Sequence, residues 1–346
     1  MKFYFINKYI LIGGGNLLRQ LILALKEAGA DGKEEPTSDF PALFVVTSKR
    51  HSEEKIGDRT FLDFLEENKI KHHISDDINA DEKVFTEITP SSMCLSIGAA
   101  WIIKRPFIDR FQGKVVNAHG SDLPKFRGGG GFSWRIMMDD SVGCSLLHLI
   151  DEGIDTGDII IAEKYAIPAG KTPLEISEIH IAEYLKTLKV FFEKIRKGDK
   201  DDSYSFPLIK QNEEESTYWP RLDTETHAYI DWSWKASDIE KFIRAFSDPY
   251  AGAKTFLNGK ETRIKDCEIA DSEAEMKFHP FQAGIVYRIY EDNLYVATIS
   301  GSLAIKGIPG ARLGDRFFTP NLCLEAAKTF KAVYTPSGLK NNSIKK

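Results

Sequence analysis

Residues 115–161 read VVNAHGSDLPKFRGGGGFSWRIMMDDSVGCSLLHLIDEGIDTGDIII, which is two strand-like segments with a polar loop after each. Asn117 and His119 are two positions apart, so on an extended backbone both side chains point to the same face. The second apolar segment ends in a loop that contains Asp155, and such a loop can place a carboxylate beside a histidine of a neighbouring strand. An amide donor, a group that titrates near neutrality and a carboxylate are the parts needed for attack on a carbonyl-type carbon.

Strand-like and helix-like segments alternate on both sides of this stretch. The alternation predicts an α/β fold with an open, mainly parallel Rossmann-like sheet and helices on both faces. In such sheets ligands bind at the carboxyl ends of the strands. Thr172 and Glu175 form a capping-box pattern at the start of a long helix. The predicted strands before the stretch cover residues 3–12, 41–46, 71–74 and 93–97, and the predicted helices include residues 58–68 and 172–197.

A glycine-rich turn, Gly13-Gly14-Gly15-Asn16, follows the first predicted strand. Turns of this kind can bind a dinucleotide, but this one lacks the G-x-G-x-x-G spacing. In addition, no acidic residue ends a clear second strand about 20 residues later. We therefore favour a tight turn that opens a βαβ unit over NAD binding.

The chain is predicted to form two domains joined by a linker. Residues 1–205 are predicted to form the Rossmann-like domain, and residues 206–230 a linker. Short strands with Gly and Asn turns predict a smaller, β-rich domain of an open-barrel, OB-like type at residues 231–335. Residues 336–346 are predicted to form a tail.

The composition argues against several functional classes. Among 346 residues, 46 basic and 51 acidic side chains give a net charge of -5, which argues against a nucleic-acid surface. The four cysteines contain no C-x-x-C pair and are expected to be free thiols, and no cluster of His or Cys at ligand spacing indicates a metal. No apolar run approaches the roughly 20 residues of a membrane span, and no signal-peptide pattern is visible. We therefore expect a cytoplasmic protein that does not enter a membrane.

The motif N-A-H-G-S-D-L-P-K-F-R-G followed by D-E-G-I-D-T-G-D-I resembles that of the 10-formyltetrahydrofolate-dependent formyltransferases. That family includes methionyl-tRNA formyltransferase, glycinamide ribonucleotide formyltransferase and the sugar-nucleotide N-formyltransferases. The resemblance covers nearly the whole chain and is weakest from Gly310 onward. It places the family's catalytic residues at Asn117, His119 and Asp155. It also implies that 10-formyltetrahydrofolate is the co-substrate and that no metal is required.

The resemblance also indicates a folate pocket. In the family, the segment after the strand that precedes the catalytic Asn lines the pterin site. Here this segment contains Gly98, Ala100, Trp101, Ile102 and Ile103. Small residues would let a flat heterocycle approach the backbone, and the isoleucines would give it apolar walls. Ordinary packing at a strand end is the alternative.

Formyl transfer requires a stabilised oxyanion and two proton transfers. Asn117 and a protonated His119 are expected to stabilise the oxyanion. Asp155 is expected to raise the pKa of His119, which keeps the imidazole charged, and to relay protons. Taken alone, His119 is best explained as a structural histidine. Its combination with Asn117 and the D-x-G-x-D-T-G loop favours catalysis, and it also argues against a binding module without activity.

The acceptor is inferred mainly from the resemblance. The glycines after Arg127 are more similar to the sugar-nucleotide enzymes, and residues 48–55 lack the basic insertion of the transfer-RNA enzymes. We therefore expect a nucleotide-linked amino deoxysugar, with a dTDP-sugar favoured, as used in surface polysaccharide and O-antigen biosynthesis. Methionyl-tRNA is the alternative. Trp134, Tyr218 and Arg221 are candidate contacts to a base or a diphosphate, although core packing explains the aromatic residues equally well. The β-rich domain could supply a homodimer contact.

Overall fold

The structure, a computed structural model, describes residues 1, 3, 6–29, 41–198, 205–270 and 277–341. The first part of the chain alternates strands and helices, as predicted. Its elements are β1 (Lys8–Gly13), α1 (Gly15–Gly29), β2 (Ala42–Thr47), α2 (Lys49–Ser52), β3 (Lys55–Ile56), β4 (Arg59–Thr60), α3 (Phe61–Glu67), β5 (His72–Ile74), α4 (Glu82–Glu87), β6 (Ser92–Ile97), α5 (Arg105–Arg110), β7 (Val115–His119), β8 (Arg127–Gly128), α6 (Gly131–Met137), β9 (Val142–Leu149), β10 (Ile159–Ala166) and α7 (Pro173–Gly198).

Seven strands form the central sheet in the order β10-β9-β7-β6-β1-β2-β5. The strands from β7 to β5 in this order run parallel, whereas β9 is antiparallel to β7 and β10 is antiparallel to β9. The mainly parallel sheet predicted from the sequence is therefore confirmed. The carboxyl ends of β7, β6, β1 and β2 lie side by side, so the segments that follow these strands meet at one edge.

Helices cover both faces of the sheet because its parallel strands are apolar on both faces. All six residues of β6 are buried. On one face, α1, α3 and α7 form a core that includes Leu21, Phe64 and Leu188. On the other face, α4 and α5 contribute Val84 and Phe107.

Two local predictions are met in this part of the chain. The Thr172 hydroxyl accepts the N–H of Glu175 at 3.3 Å, and the Glu175 carboxylate accepts the N–H of Thr172 at 2.9 Å, which is the predicted capping box. The turn after β1 is tight because Gly13 has a φ of 128° and a Cβ there would lie 1.9 Å from the carbonyl oxygen of Ile97. Only glycine fits this approach of β1 to the end of β6.

The second part of the described chain is β-rich, as predicted. Its elements are β11 (Tyr218–Trp219), α8 (Thr224–His227), α9 (Ala236–Ala245), β12 (Ala253–Leu257), β13 (Lys260–Ile264), β14 (Glu268–Ile269), β15 (Val286–Tyr290), β16 (Asn293–Ala297), β17 (Ser302–Lys306), β18 (Phe317–Phe318), α10 (Asn321–Thr329), β19 (Ala332–Thr335) and β20 (Gly338–Asn341). Two antiparallel sheets, β13-β12-β18 and β14-β17-β16-β15, share a core with α9. Ile136 of α6 and Ile176 of α7 belong to the same core, so the two parts of the chain pack together.

The predicted linker and tail both contain regular structure. The linker, predicted at residues 206–230, includes β11, which pairs in parallel with β8. Residues 199–204, next to its predicted start, lie outside the described residues. Strands β19 and β20 form a hairpin that crosses the predicted start of the tail at residue 336, and residues 342–346 lie outside the described residues.

The cysteines and the helices can be compared with what the composition led us to expect. Cys94 and Cys144 are buried free thiols, and burial raises the pKa of Cys144 to about 12. Both side chains therefore behave as small apolar residues. Within the ranges that the structure describes, none of the helices combines the length and apolar character that crossing a membrane requires.

Candidate active site

Strands β7 and β9 bring Asn117 and His148 together. The antiparallel register places these two residues opposite each other. The Asn117 Nδ2 atom lies 3.1 Å from His148 Nε2, and His148 Nδ1 lies 2.7 Å from the carbonyl oxygen of Leu149. Because a carbonyl only accepts and the amide nitrogen of Asn117 only donates, Nδ1 of His148 bears a hydrogen and Nε2 accepts one amide hydrogen of Asn117. The second amide hydrogen of Asn117 has no hydrogen-bond acceptor among the described residues.

Asp155 lies on the loop between β9 and β10, which folds back over the strand ends. The Asp151 carboxylate accepts the N–H of Gly153 at 3.1 Å. A Cβ on Gly157 would lie 1.8 Å from the carbonyl oxygen of Leu149, so only glycine fits there. Asp155 has a φ of 55°, a left-handed conformation that aspartate tolerates better than most residues. The D-x-G-x-D-T-G pattern thus forms a tight loop that directs Asp155 toward β7.

The Asp155 carboxylate faces both histidines. Its oxygens lie 3.6 Å from Nδ1 of His119 and 3.6 Å from Nε2 of His148, and one of them accepts the N–H of Gly128 at 2.9 Å. Burial raises the pKa of Asp155. The neighbouring His148 ring, the positive charge that His119 carries when it is protonated in acid, and the Gly128 N–H outweigh burial and lower the pKa to about 2. Asp155 is therefore ionised at neutral pH.

His119 is neutral in this site, which corrects the expectation of a protonated imidazole. Burial lowers its pKa from 6.5 and outweighs Asp155, which raises it, while His148 and Arg135 lower it further. The Nε2 atom lies 3.2 Å from the carbonyl oxygen of Phe126, so Nε2 bears the hydrogen. The unprotonated Nδ1 therefore faces Asp155. The expected effect of Asp155 on the pKa of His119 is present, but the expectation left out the loss of solvation, which has the larger effect.

Gln211 and Arg127 brace the Asp155 loop. The Gln211 amide donates to the carbonyl oxygens of Asp155 at 2.8 Å and Gly157 at 2.7 Å. The Arg127 guanidinium donates to Gln211 Oε1 at 2.8 Å and forms an ion pair with Glu213 at 2.7 Å. Arg127 belongs to the L-P-K-F-R-G motif, so that motif orients the loop of the second motif through Gln211.

The glycines after Arg127 make room for the segment that enters the C-terminal part. Strand β8 pairs with β11, and a Cβ on Gly128 would lie 2.4 Å from the carbonyl oxygen of Trp219. A Cβ on Gly129 would lie 3.0 Å from both Cβ and Nε of Arg221. Larger residues would displace this segment, so the glycine run determines where Arg221 is placed.

A cavity of about 660 Å³ lies at the carboxyl edge of the sheet. The structure brings the three predicted catalytic residues together there, and His148 lies beside them. The cavity is lined by four residues of the predicted folate segment, namely Gly98, Trp101, Ile102 and Ile103. Ala100, the fifth predicted residue, does not line it.

The predicted acceptor contacts divide into two groups. Arg221 lines the cavity, and Trp134 and Tyr218 are not among its described lining residues. The Trp134 Nε1–H donates to the carbonyl oxygen of Pro220 at 2.7 Å, and Tyr218 lies on β11 with 58% of its surface exposed. Trp134 thus packs against the entering segment, which is the structural role that the sequence analysis left open.

His119, His148 and Asp155 also form a group whose ligand atoms lie within 4.8 Å of one another. Two histidines and a carboxylate are a common ligand set for divalent metals. The sequence indicated no metal cluster because the spacing of His148 from His119 and from Asp155 matches no common ligand pattern. Here both nitrogens of His148 and one oxygen of Asp155 already have hydrogen-bond partners. The absence of a metal stays a prediction.

His148 and Gln211 are the site residues that the sequence analysis missed. A signal for His148 was present, because a single histidine interrupts the buried strand V-G-C-S-L-L-H-L. A buried polar side chain is costly without a partner, so this histidine indicates a site on a neighbouring strand. Gln211 lies in a polar segment and is distinguished by no local pattern.

An open α/β sheet with a cavity at its carboxyl edge, followed by a smaller β-rich part, defines a two-part Rossmann-like protein with a ligand site. The family model described as "Formyl transferase" matches residues 9–185. The model described as "Formyl transferase, C-terminal domain" matches residues 224–312. The chain belongs to the formyl transferase family.

Relatives that are similar in sequence carry the name methionyl-tRNA formyltransferase. The protein from Desulfotalea psychrophila is 32% identical over 213 residues, which are 60% of this chain and 60% of that protein. The protein from Agathobacter rectalis is 28% identical over 204 residues, which are 59% of this chain and 62% of that protein. The chain thus matches about 60% of the length of these relatives.

Solved structures share the fold. WlaRD, described as a sugar 3N-formyl transferase with dTDP and 5-N-formyl-THF, has a TM-score of 0.62 at 20% identity, with 88% of this chain and 99% of that chain covered. The N-formyltransferase from Helicobacter canadensis, in complex with folinic acid and dTDP-3-aminofucose, has a TM-score of 0.62 at 19% identity, with 86% and 98% covered. These likenesses confirm the fold class.

Proposed function

We propose that this protein is an N-formyltransferase that moves a formyl group from 10-formyltetrahydrofolate to the amino group of a nucleotide-linked amino sugar. The observation that supports the reaction most directly is the convergence of Asn117, His119 and Asp155 in one cavity of a formyl transferase family member. This trio unites a donor for an oxyanion, a proton acceptor and an ionised carboxylate.

The cavity suits a flat ring on the side formed by residues 98–103. Ile102 and Ile154 both line it, although 74% and 55% of their surfaces are exposed. Exposed apolar side chains inside a concave site indicate a ligand with an apolar face. Asn79 donates to the carbonyl oxygen of Ile102 at 3.1 Å, which fixes the segment. These residues would hold 10-formyltetrahydrofolate, which supplies the formyl carbon.

The chain's own residues can divide the work of the transfer. The unpaired amide hydrogen of Asn117 can donate to the oxygen that gains charge while the amine attacks. Nδ1 of His119 can accept the proton that the amine loses, and Asp155 stabilises the resulting imidazolium. The same proton can then pass to the leaving nitrogen, so His119 ends the cycle neutral.

Three observations support an amino sugar as the acceptor. Solved structures of similar fold include enzymes named for sugar N-formylation, with dTDP or dTDP-3-aminofucose bound. A protein with a net charge of -5 gains little from counterion release when it binds RNA, so a transfer RNA acceptor is less favoured. The cationic Arg221 lines the cavity and can meet a phosphate. We place the reaction in the cytoplasm and in surface polysaccharide biosynthesis, such as that of an O-antigen, and a homodimer remains part of the proposal.

Methionyl-tRNA is the second candidate acceptor. It is favoured by the names of relatives that match this chain in sequence, at 27–32% identity. Opposing it, the residues after β2 form only the short α2 and a β3–β4 hairpin, with no long basic insertion.

The test is a direct competition between acceptors. Enzyme and 10-formyltetrahydrofolate are mixed with a panel of nucleotide-linked amino sugars or with charged initiator transfer RNA. We expect a mass increase of one formyl group on an amino sugar, release of tetrahydrofolate, and only a modest effect of salt. A formyl group on methionyl-tRNA, transferred with a rate that depends steeply on salt, would make transfer RNA the acceptor instead. No tetrahydrofolate with any acceptor would favour a binding protein without activity.

A further inference from the structure

Two arginines meet one tyrosine ring at the wall of the active-site cavity. Arg50 lies in α2 directly after β2, Arg221 follows β11, and Tyr334 lies in β19. The guanidinium carbons lie 5.0 Å and 4.6 Å from the centre of the Tyr334 ring. All three residues line the cavity that contains His119. We call Arg50 and Arg221 the arginine pair.

The arginine pair has no carboxylate at ion-pair distance among the described residues, in contrast to Arg127, which pairs with Glu213. Arg50 Nη2 lies 2.6 Å from His51 Nε2. Burial and the two arginine charges lower the pKa of His51 to about 3, so His51 is neutral and adds no third positive charge. The Nε–H of Arg50 is buried without a partner. Glu54 lies close enough to offset part of both charges, although not at ion-pair distance, and burial raises the pKa of its own carboxyl group. Two arginines without an ion-pair partner and an unsatisfied donor are costly unless a ligand supplies acceptors.

The arginine pair is held in place before any ligand binds. Arg221 packs on Gly129, and the backbone N–H of Arg50 donates to the carbonyl oxygen of Pro336 at 3.0 Å. The hairpin β19–β20 is thereby tied to α2, and the Tyr334 ring orients both guanidinium groups by cation–π contact. Side chains fixed in this way lose less entropy when they bind an anion.

We propose that the arginine pair binds the diphosphate of the acceptor, an inference that rests on the proposed function. A diphosphate offers two adjacent phosphoryl groups, and each can accept a fork of two N–H groups from one guanidinium. A single carboxylate would leave one arginine unmatched.

The position along the sheet is consistent with this assignment. Strand β2, before Arg50, is separated from β7, which contains His119, by β1 and β6. Three strand spacings amount to roughly 14 Å. A sugar ring between the reacting amine and the diphosphate can occupy this interval while both arginine side chains reach inward.

Binding of small probes tests the site without a known acceptor. Calorimetry would measure dTDP, inorganic pyrophosphate and folinic acid with wild-type protein, Arg50→Ala and Arg221→Ala. We expect each variant to bind dTDP and pyrophosphate at least 10-fold more weakly and folinic acid within about twofold. The matched control is Arg288→Ala, since Arg288 also lies over a tyrosine ring, 3.7 Å from the centre of Tyr295, but outside the cavity. It should bind all three probes normally.

Two results of the dTDP and folinic acid binding measurements would overturn the site. Unchanged dTDP binding in both variants would show that the arginine pair does not contact the diphosphate. Loss confined to folinic acid would assign the pair to the folate carboxylates instead. Tyr334→Phe, which keeps the ring, should retain dTDP binding, whereas Tyr334→Ala should weaken it. Equal weakening by both would show that the ring does not orient the arginine pair.

Turnover separates this inference from the proposed function. If an amino sugar nucleotide is formylated and its KM is unchanged in both arginine variants, the site is wrong and the proposed function stands. If no amino sugar nucleotide is formylated but dTDP and pyrophosphate binding depends on the arginine pair, the acceptor is wrong and the site stands. Weakened transfer RNA binding with unchanged dTDP binding would also overturn the site.

Discussion

Replacing Gln211 by leucine tests how the Asp155 loop is braced. The substitution removes the two hydrogen bonds to the carbonyl oxygens of Asp155 and Gly157, at 2.8 and 2.7 Å. It also removes the two that Gln211 Oε1 accepts from Arg127, at 2.8 and 3.2 Å, and leaves Arg127 with Glu213 as its remaining partner. At about 1 kcal/mol for each hydrogen bond, loss of the two bonds to the loop should lower the free energy of unfolding by about 2 kcal/mol, and loss of the bonds from Arg127 should lower it further. Asp155 has a φ of 55°, so the freed loop should also relax away from this strained conformation.

Urea unfolding and turnover measure the two effects separately. If the loss of about 2 kcal/mol from the two loop hydrogen bonds raises the activation barrier of formyl transfer by the same amount, turnover falls about 30-fold, because about 1.4 kcal/mol corresponds to a factor of ten. Gln282→Leu is the matched control, since Gln282 accepts an N–H from His279 at 2.9 Å in the C-terminal part and does not line the cavity. Wild-type turnover and stability in Gln211→Leu would refute the bracing role. Lost stability with normal turnover would restrict Gln211 to a structural role.

Four further predictions concern the trio, its protonation and acid stability. Asn117→Ala and His119→Ala should each lower turnover by roughly 100-fold or more with unchanged circular dichroism, and near wild-type turnover would refute their roles. In NMR titrations His119 should be neutral at pH 6.5, and Asp155→Asn should lower its pKa further because the carboxylate raises it; an unchanged pKa would contradict the coupling. Prolonged EDTA treatment should leave turnover within about twofold, and loss restored by a divalent metal would show that the histidine and aspartate group binds one. His51 and His180 have pKa values lowered to about 3, mainly by burial, so below pH 6.5 the unfolded chain binds more protons and the free energy of unfolding should fall, by up to about 2 kcal/mol per histidine at pH 5. Equal urea midpoints at pH 7 and 5 would contradict this.

The sheet and the trio were accessible from the sequence because local pattern determines both. Buried parallel strands are mostly apolar, as in β6, and the turn and loop glycines are required by backbone contacts. The spacing of Asn117 and His119 on one strand fixes their common face without any knowledge of the fold. The position of Asp155 followed from the loop motif and the family resemblance.

What the sequence did not reveal depends on contacts between distant segments. His148 joins the site through the register of β9 with β7, and Gln211 reaches the Asp155 loop from the segment after α7. The neutral state of His119 results from burial by several elements together. Trp134 could not be separated from a ligand contact by its residue type alone, because the Pro220 carbonyl that it bonds belongs to another part of the chain.

The bond between Arg50 and Pro336 has a consequence for biosynthesis. Chains fold during synthesis from the N-terminal domain onward, so the central sheet and its trio can form before the hairpin β19–β20 has been made. Translation from residue 205 to residue 334 takes on the order of ten seconds at ordinary rates. During that interval the nascent protein has its catalytic edge but lacks one wall of the cavity. A premature stop before residue 332 would therefore yield a protein with the chemical groups in place and the arginine pair without its ring.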